Sequence, residues 1–168
     1  PDTVESREEF GHFEIDTVIG KKAGSESVLL TLTERKTRYE IIKVIDGKDT
    51  DSVTYAINQI INEYGENIFQ SITADNGSEF ANLATVLNGR MKVYYTHPYA
   101  SSERGTNENH NGIIRRFLAK GESIDSKDRR TLESIADIMN ELPRKILNYQ
   151  RPREAFQQEC LLISSSCC

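Results

Sequence analysis

The chain has 168 residues, 37% hydrophobic and 28% charged, with 21 basic and 26 acidic side chains and a net charge of −5. That composition is expected of one globular domain large enough for a real core, and no apolar run approaches the roughly 20 residues a membrane helix needs. Cys160, Cys167 and Cys168 follow no zinc spacing and imply no disulfide framework.

No secretory signal is visible, so a cytoplasmic setting is expected. The acidic balance argues mildly against a nucleic-acid partner. Its distribution softens that argument. Residues 1–80 hold 8 basic and 16 acidic side chains, whereas residues 81–168 hold 13 basic and 10 acidic.

Residues 1–9 are polar and acidic and read as a loose linker. Residues 10–159 read as the folded core, and residues 160–168 as a disordered tail. Three strands are expected near 11–19, 26–33 and 38–45, the first two joined by a hairpin loop through Gly20-Lys21-Lys22-Ala23-Gly24. Asp49 or Thr50 can cap a helix whose core stripe is Val53, Ala56, Ile57, Ile60, Ile61 and Tyr64. A fourth strand near 69–74 leads to Asp75. The turn Asn76-Gly77 then opens a helix with Phe80, Leu83, Ala84 and Leu87 at helical spacing.

A short strand, Lys92 to Thr96, precedes His97-Pro98. Thr106 is placed to cap the next helix and Gly121 to stop it, with Ile113, Ile114, Phe117 and Leu118 as its apolar stripe. After a polar loop over 121–130, Leu132, Ile135, Ala136, Ile138, Met139 and Leu142 mark another helix, ended by Pro143. Arg151-Pro152 opens a last short helix with Phe156.

Three acids stand out. Residues alternate faces along a strand, so Asp16 shares one face with His12 and Glu14, opposite Phe13, Ile15 and Ile19. An acid near the middle of a strand costs stability unless something binds it. Asp75 ends its strand, where open α/β sheets place their chemistry. Glu108 lies off the apolar stripe of its helix, and residues three to four apart put Asn111, Gly112 and Arg115 below it. Alone, Glu108 reads as a solvated helix residue and Asp75 as a turn residue or cap. The Glu108 helix, with an acid, an amide and a base in a row, suits a metal-bound phosphodiester.

The stretches G-H-F-E-I-D-T-V-I-G (11–20), T-A-D-N-G-S-E-F (73–80), H-P-Y-A-S-S-E-R-G-T-N-E-N-H-N-G-I-I-R-R (97–116), L-P-R-K-I-L-N-Y (142–149) and R-P-R-E-A-F (151–156) carry a resemblance. The chain resembles the catalytic core of the DDE transposases and retroviral integrases. More narrowly, it resembles bacterial transposases of the insertion-sequence-thirty family. The resemblance implies an α/β, RNase H-like fold: a mixed five-stranded sheet, its first three strands antiparallel, flanked by helices, with the first and fourth strands as neighbours. It makes Asp16, Asp75 and Glu108 the catalytic acids and the ligands of Mg²⁺, with Mn²⁺ able to substitute.

Arg115 then falls where the family contacts DNA, and Arg116, Asn111, Asn107, Asn76 and Lys120 are further expected DNA contacts. The implied partners are element ends and target DNA, with a homodimer or higher oligomer doing the work in the bacterial cytoplasm. The implied reaction is strand cleavage by water, then attack of the freed 3′-hydroxyl on target DNA, with two ions about 3.5–4 Å apart flanking the phosphodiester. Phe13 and Ser102 stand where relatives often carry Trp, and the chain has no Trp. The amino-terminal DNA-binding region of a whole transposase is not among these residues.

Two alternatives stay open: a metal nuclease that only hydrolyses, and a non-catalytic DNA-binding or assembly module. Zinc through His12, His97 and His110 lacks further ligands at suitable spacing. His110 is read as a DNA or carboxylate contact or as a plain surface residue. Ser25, Ser101 and Ser102 have no placed base, which leaves a serine hydrolase without support. Gly20 to Gly24 lacks the spacing of a phosphate-binding loop, and Lys21 and Lys22 read as a solvated hairpin tip.

Overall fold

A computed structural model describes residues 7–21, 26–96 and 105–165, with residues 105–108 described as backbone. Five strands form one sheet: β1 (His12–Ile19), β2 (Val28–Glu34), β3 (Glu40–Ile45), β4 (Ser71–Ala74) and β5 (Lys92–Tyr95). Their order is β3-β2-β1-β4-β5. β1, β2 and β3 pair antiparallel, while β4 and β5 join parallel. This is the mixed sheet expected of an RNase H-like fold, with the first and fourth strands adjacent.

Both faces of the sheet are covered. On one face Phe13, Ile15, Leu30, Leu32 and Ile72 meet α1 (Thr50–Tyr64) through Val53, Ala56, Ile57, Ile60 and Ile61. Asp49 caps α1, accepting from Ser52 N at 2.8 Å and Asp51 N at 3.1 Å. On the other face Val18, Leu29, Ile42 and Val44 meet two helices. These are α3 (Gly105–Ile114) and α4 (Arg129–Glu141). The fully buried β2 follows from this double cover.

The outer edge of β3 is closed by side chains of α4. Asn140 takes the N–H of Glu40 and donates to its carbonyl, both at 2.8 Å, and Glu133 accepts from Val44 N at 3.1 Å. Covering an edge in this way removes a template for unwanted strand pairing.

Several expectations change. The segment after Asp75 is a one-turn 3-10 piece at Ser78–Phe80, followed by a four-residue α2 (Leu83–Val86). Phe80, Leu83 and Leu87 are buried as expected, but Ala84 is exposed. Helix α3 already contains Gly105, so Thr106 is not its cap. It ends at Ile114 rather than running on toward Gly121. There the bonds shorten to Arg116 N–Ile113 O and Phe117 N–Ile114 O, and this tightening turns Leu118 inward while Phe117 stays 40% exposed.

Ile138 on α4 and Leu142 just past its end are exposed, and Asn140 is buried in their stead. The last helix is not short: α5 spans Pro152–Ser165, so residues 160–165 are helical, with Cys160 and Ile163 packed on the core. Lys22, Ser25, His97, Pro98, Tyr99, Ser101 and Ser102 lie outside the described residues.

Candidate active site at the β1–β4 junction

The parallel pair of β1 and β4 sets the site. His12 lies opposite Ser71, Phe13 opposite Ile72 and Glu14 opposite Thr73. Continued two residues past the last paired residues, the same register brings position 16 level with position 75. The side of β1 that carries Asp16 also carries Val18, which packs against Ile113, Ile114 and Leu118. Asp16 therefore sits on the face that α3 covers, where Asn111 reaches it.

Asp16 is half-buried in β1. Its Oδ1 accepts from Thr17 N at 2.8 Å, and its Oδ2 accepts from Asn111 Nδ2 at 3.0 Å. Asp75 follows β4 directly and is likewise half-buried. Its Oδ1 accepts from Gly77 N at 2.8 Å, which closes a turn over the Asn-Gly pair. Position 108 lies three residues before Asn111, one helical turn back along α3. The side chains of Glu108 and Asn107 lie outside the described residues.

A carboxylate on the opposite face supports the turn. Glu79 is buried, accepts from Thr17 Oγ1 at 3.0 Å, and meets Lys48 Nζ at 3.1 Å. Thr17 follows Asp16, so Glu79 ties β1 to the loop that carries Asp75. Sequence reasoning quoted Glu79 within its motif without giving it a role. The only local signal was an acid placed one residue before a core phenylalanine.

The expected DNA contacts divide. Asn111 binds Asp16. Asn76 donates to the carbonyl of Thr96 at 2.8 Å, bracing the exit of β5. Arg115 donates through Nη2 to the carbonyl of Ile19 at 2.9 Å, pinning the end of α3 to the end of β1. Arg116 and Lys120 are exposed on the turn beyond α3.

His110 is neither a surface residue nor near solvent. It is buried, and Nδ1 bonds Glu40 Oε2. Beneath it on the same sheet face, Glu14 pairs with Arg35 Nε at 2.8 Å, both fully buried. At the mouth of β1, Glu34 accepts from Gly11 N at 3.0 Å and from Thr37 N at 2.6 Å. Burial outweighs these bonds and raises its carboxyl above the ordinary value.

Asp16 and Asp75 offer hard oxygen donors, the set that suits Mg²⁺ or Mn²⁺ and fits poorly with softer metals. Among the described residues no three His, Cys, Asp or Glu side chains form a metal cluster. Surface grooves of about 290 and 350 Å³ run along the β3 edge, and neither is lined by Asp16 or Asp75. No helix among the described residues is long and apolar enough to cross a membrane.

No family model matches the chain. Curated relatives do. The chain is 40% identical to the "Probable transposase for insertion-like sequence element IS1161" of Streptococcus salivarius, over 94% of this chain and 44% of that protein. It is 37% identical to the "Transposase for insertion sequence element IS4351" of Bacteroides fragilis, over 94% of this chain and 48% of that protein. It is 35% identical to the "Transposase InsI for insertion sequence element IS30A" of Escherichia coli (strain K12), over 92% and 40% respectively.

The chain thus spans less than half the length of these relatives. Among solved structures, the catalytic core domain of BIV integrase superposes with a TM-score of 0.66 at 18% identity, covering 90% of this chain and 96% of that one. This likeness establishes the integrase-core fold.

Proposed function

We propose that this chain, which shares the sequence family of IS30-type insertion-sequence transposases over most of its length, is their catalytic core and performs DNA strand cleavage and 3′-hydroxyl strand transfer. What supports the reading is the β1–β4 register, which brings position 16 level with position 75, together with the bond from Asn111, on the helix bearing Glu108, to Asp16. On this reading Asp16, Asp75 and Glu108 would hold divalent ions. Bound Mg²⁺ or Mn²⁺ supplies activation of the attacking oxygen and charge stabilisation at the leaving oxygen.

The chain's own residues do the remaining work. Asn111 orients Asp16, and the Gly77 turn orients Asp75. Arg116 and Lys120 offer phosphate contacts beyond α3, alongside Arg115. In cleavage, the oxygen of water bonds to phosphorus and the 3′-oxygen leaves as a hydroxyl. In transfer, that hydroxyl bonds to a target phosphorus and displaces the target's own 3′-oxygen. No covalent bond to the protein is needed in either step. On this reading the partners are element ends and target DNA, the working form is a homodimer or higher oligomer, and the setting is the bacterial cytoplasm.

The test uses a branched DNA that mimics the joined product, incubated with the chain and Mn²⁺, with Asp75→Asn and Glu108→Gln as controls. Asn at position 75 keeps the oxygen that accepts from Gly77 N, so the turn survives and only the charge is lost. Resealed strands that vanish in both variants are the expected result. Nicking without resealing would favour a hydrolytic nuclease instead, and activity surviving Asp75→Asn would sink the site.

A further inference from the structure

Helix α3 carries Glu108 and Asn111, and among its described side chains Ile113 and Ile114 give it an apolar grip on the sheet. Ile113 and Ile114 pack on Val18, Leu29 and Ile42. Apolar contacts of this kind tolerate small slides and rotations, because they have no preferred direction. His110 is different. It is 3% exposed, and its Nδ1 bonds Glu40 Oε2, 70 positions away in sequence. The same oxygen accepts from Thr33 Oγ1 at 2.7 Å. The backbone of Glu40 is held on both sides by Asn140 of α4. The acceptor is therefore held by β2, β3 and α4 independently of α3.

This arrangement costs more than an apolar one. Glu40 is 1% exposed, and its Oε1 has no hydrogen-bond partner among the described residues. A buried polar pair with one oxygen left over is often less stable than hydrophobic residues of the same volume. What such a pair does provide is register: one donor, one acceptor, one geometry. The register it sets here is that of the residues two before and one after His110.

We propose that the His110–Glu40 bond is a positioning device. It locks the rotation and height of α3 over the sheet and so sets Glu108 and Asn111 for the ion site. His110 touches neither ion nor DNA in this role. The inference rests on reading Asp16, Asp75 and Glu108 as the acid triad.

The test compares His110→Asn, His110→Gln and His110→Leu. The Asn variant keeps an N–H donor at the place of Nδ1. The Gln variant moves its donor one bond further, to the place of Nε2. The Leu variant keeps bulk and loses the donor. Two readouts are taken where every variant is folded: amide hydrogen exchange of residues 109–114 in metal-free protein, relative to β2 and α4, and Mn²⁺ binding by calorimetry.

His110→Asn is expected to match the parent in both. His110→Gln and His110→Leu are expected to exchange faster in α3 alone and to bind Mn²⁺ roughly tenfold more weakly, the scale of loss when a group orienting a ligand is removed. Parent-like exchange and Mn²⁺ affinity in His110→Leu would overturn the tether, as would His110→Asn failing as badly as His110→Leu. Glu108→Gln runs in the same titration. If it binds Mn²⁺ like the parent, the triad reading itself fails. If it binds weakly while His110→Leu does not, the tether alone fails.

Discussion

Asn111 of α3 donates to Asp16 of β1 at 3.0 Å, across 95 positions of sequence. The bond joins the helix that carries Glu108 to the strand that carries the first acid. It holds Oδ2 in a fixed direction, while Oδ1 accepts from Thr17 N at 2.8 Å. Asn111→Ala removes the orienting donor without adding charge. Strand transfer should fall about 10- to 100-fold, as when partners of metal ligands are removed. Folding stability should change by only about 1 kcal/mol, the net worth of one hydrogen bond. Steady-state transfer rates alongside thermal melting check this; a rate within twofold of the parent would remove Asn111 from the site.

Arg115, Arg116 and Lys120 should part company in a salt titration of DNA binding. Arg116 and Lys120 are exposed, so Arg116→Ala and Lys120→Ala should each lower the slope of log affinity against log salt by about 0.9, one phosphate contact apiece. Their melting temperatures should not move. Arg115 also donates to the carbonyl of Ile19, so Arg115→Ala should weaken DNA binding and destabilise the fold together, by about 1 kcal/mol for the lost bond. An unchanged DNA affinity in Arg115→Ala would reduce this residue to a tie between α3 and β1.

How far the site was legible follows from which interactions are local. Of the proposed site, Asp16 is singled out by the two-residue alternation of β1, and Asp75 by the strand that stops before Asn76-Gly77. Both are short-range patterns. That the two strands lie side by side is a matter of topology, and it came from family resemblance. A carboxylate contact is among the readings of His110, but its partner Glu40 is opaque, because read locally it is a polar residue beside a hydrophobic stretch. Only the packing of α3 over β3 buries them together. The same holds for Glu14 and Arg35, whose pairing inside the fold inverts the expectation of a polar strand face. Phe117 misled for a different reason. The helical period placed it inward, but α3 tightens after Ile114 and rotates it out.

Asp49 offers a pH-dependent check on the fold that leaves the site alone. Its carboxylate accepts from Ser52 N and Asp51 N at the start of α1, and the Ser52 bond holds its pKa below the ordinary 3.8. The folded pKa is depressed, so the cap's contribution is complete above the unfolded value and fades as pH falls through the folded one. Asp49→Ala should cost about 0.5–2 kcal/mol near pH 7. The difference should shrink once the pH drops below about 4. Urea melts of both proteins across that range check it; a constant difference at every pH would show that the charge plays no part in the cap.

Gly77 separates folding from chemistry more sharply. Its backbone angles, φ −63 and ψ 142, suit any residue. The space around it does not. A Cβ there would sit 2.5 Å from Glu79 Oε2 and 2.8 Å from Asp75 Oδ1. Both obstacles are ends of flexible side chains, so the fold can yield by moving a carboxylate, and one of the two is Asp75. Gly77→Ala should therefore melt within a few degrees of the parent and yet lose most strand transfer and Mn²⁺ affinity. Gly20 is the useful contrast, because a Cβ there meets the backbone carbonyl of Glu122 at 2.3 Å. No side chain can swing away in that case, so Gly20→Ala should destabilise the protein outright. If Gly77→Ala instead lowered stability as much as Gly20→Ala while the folded fraction stayed active, the turn would be a structural support with no hold on the position of Asp75.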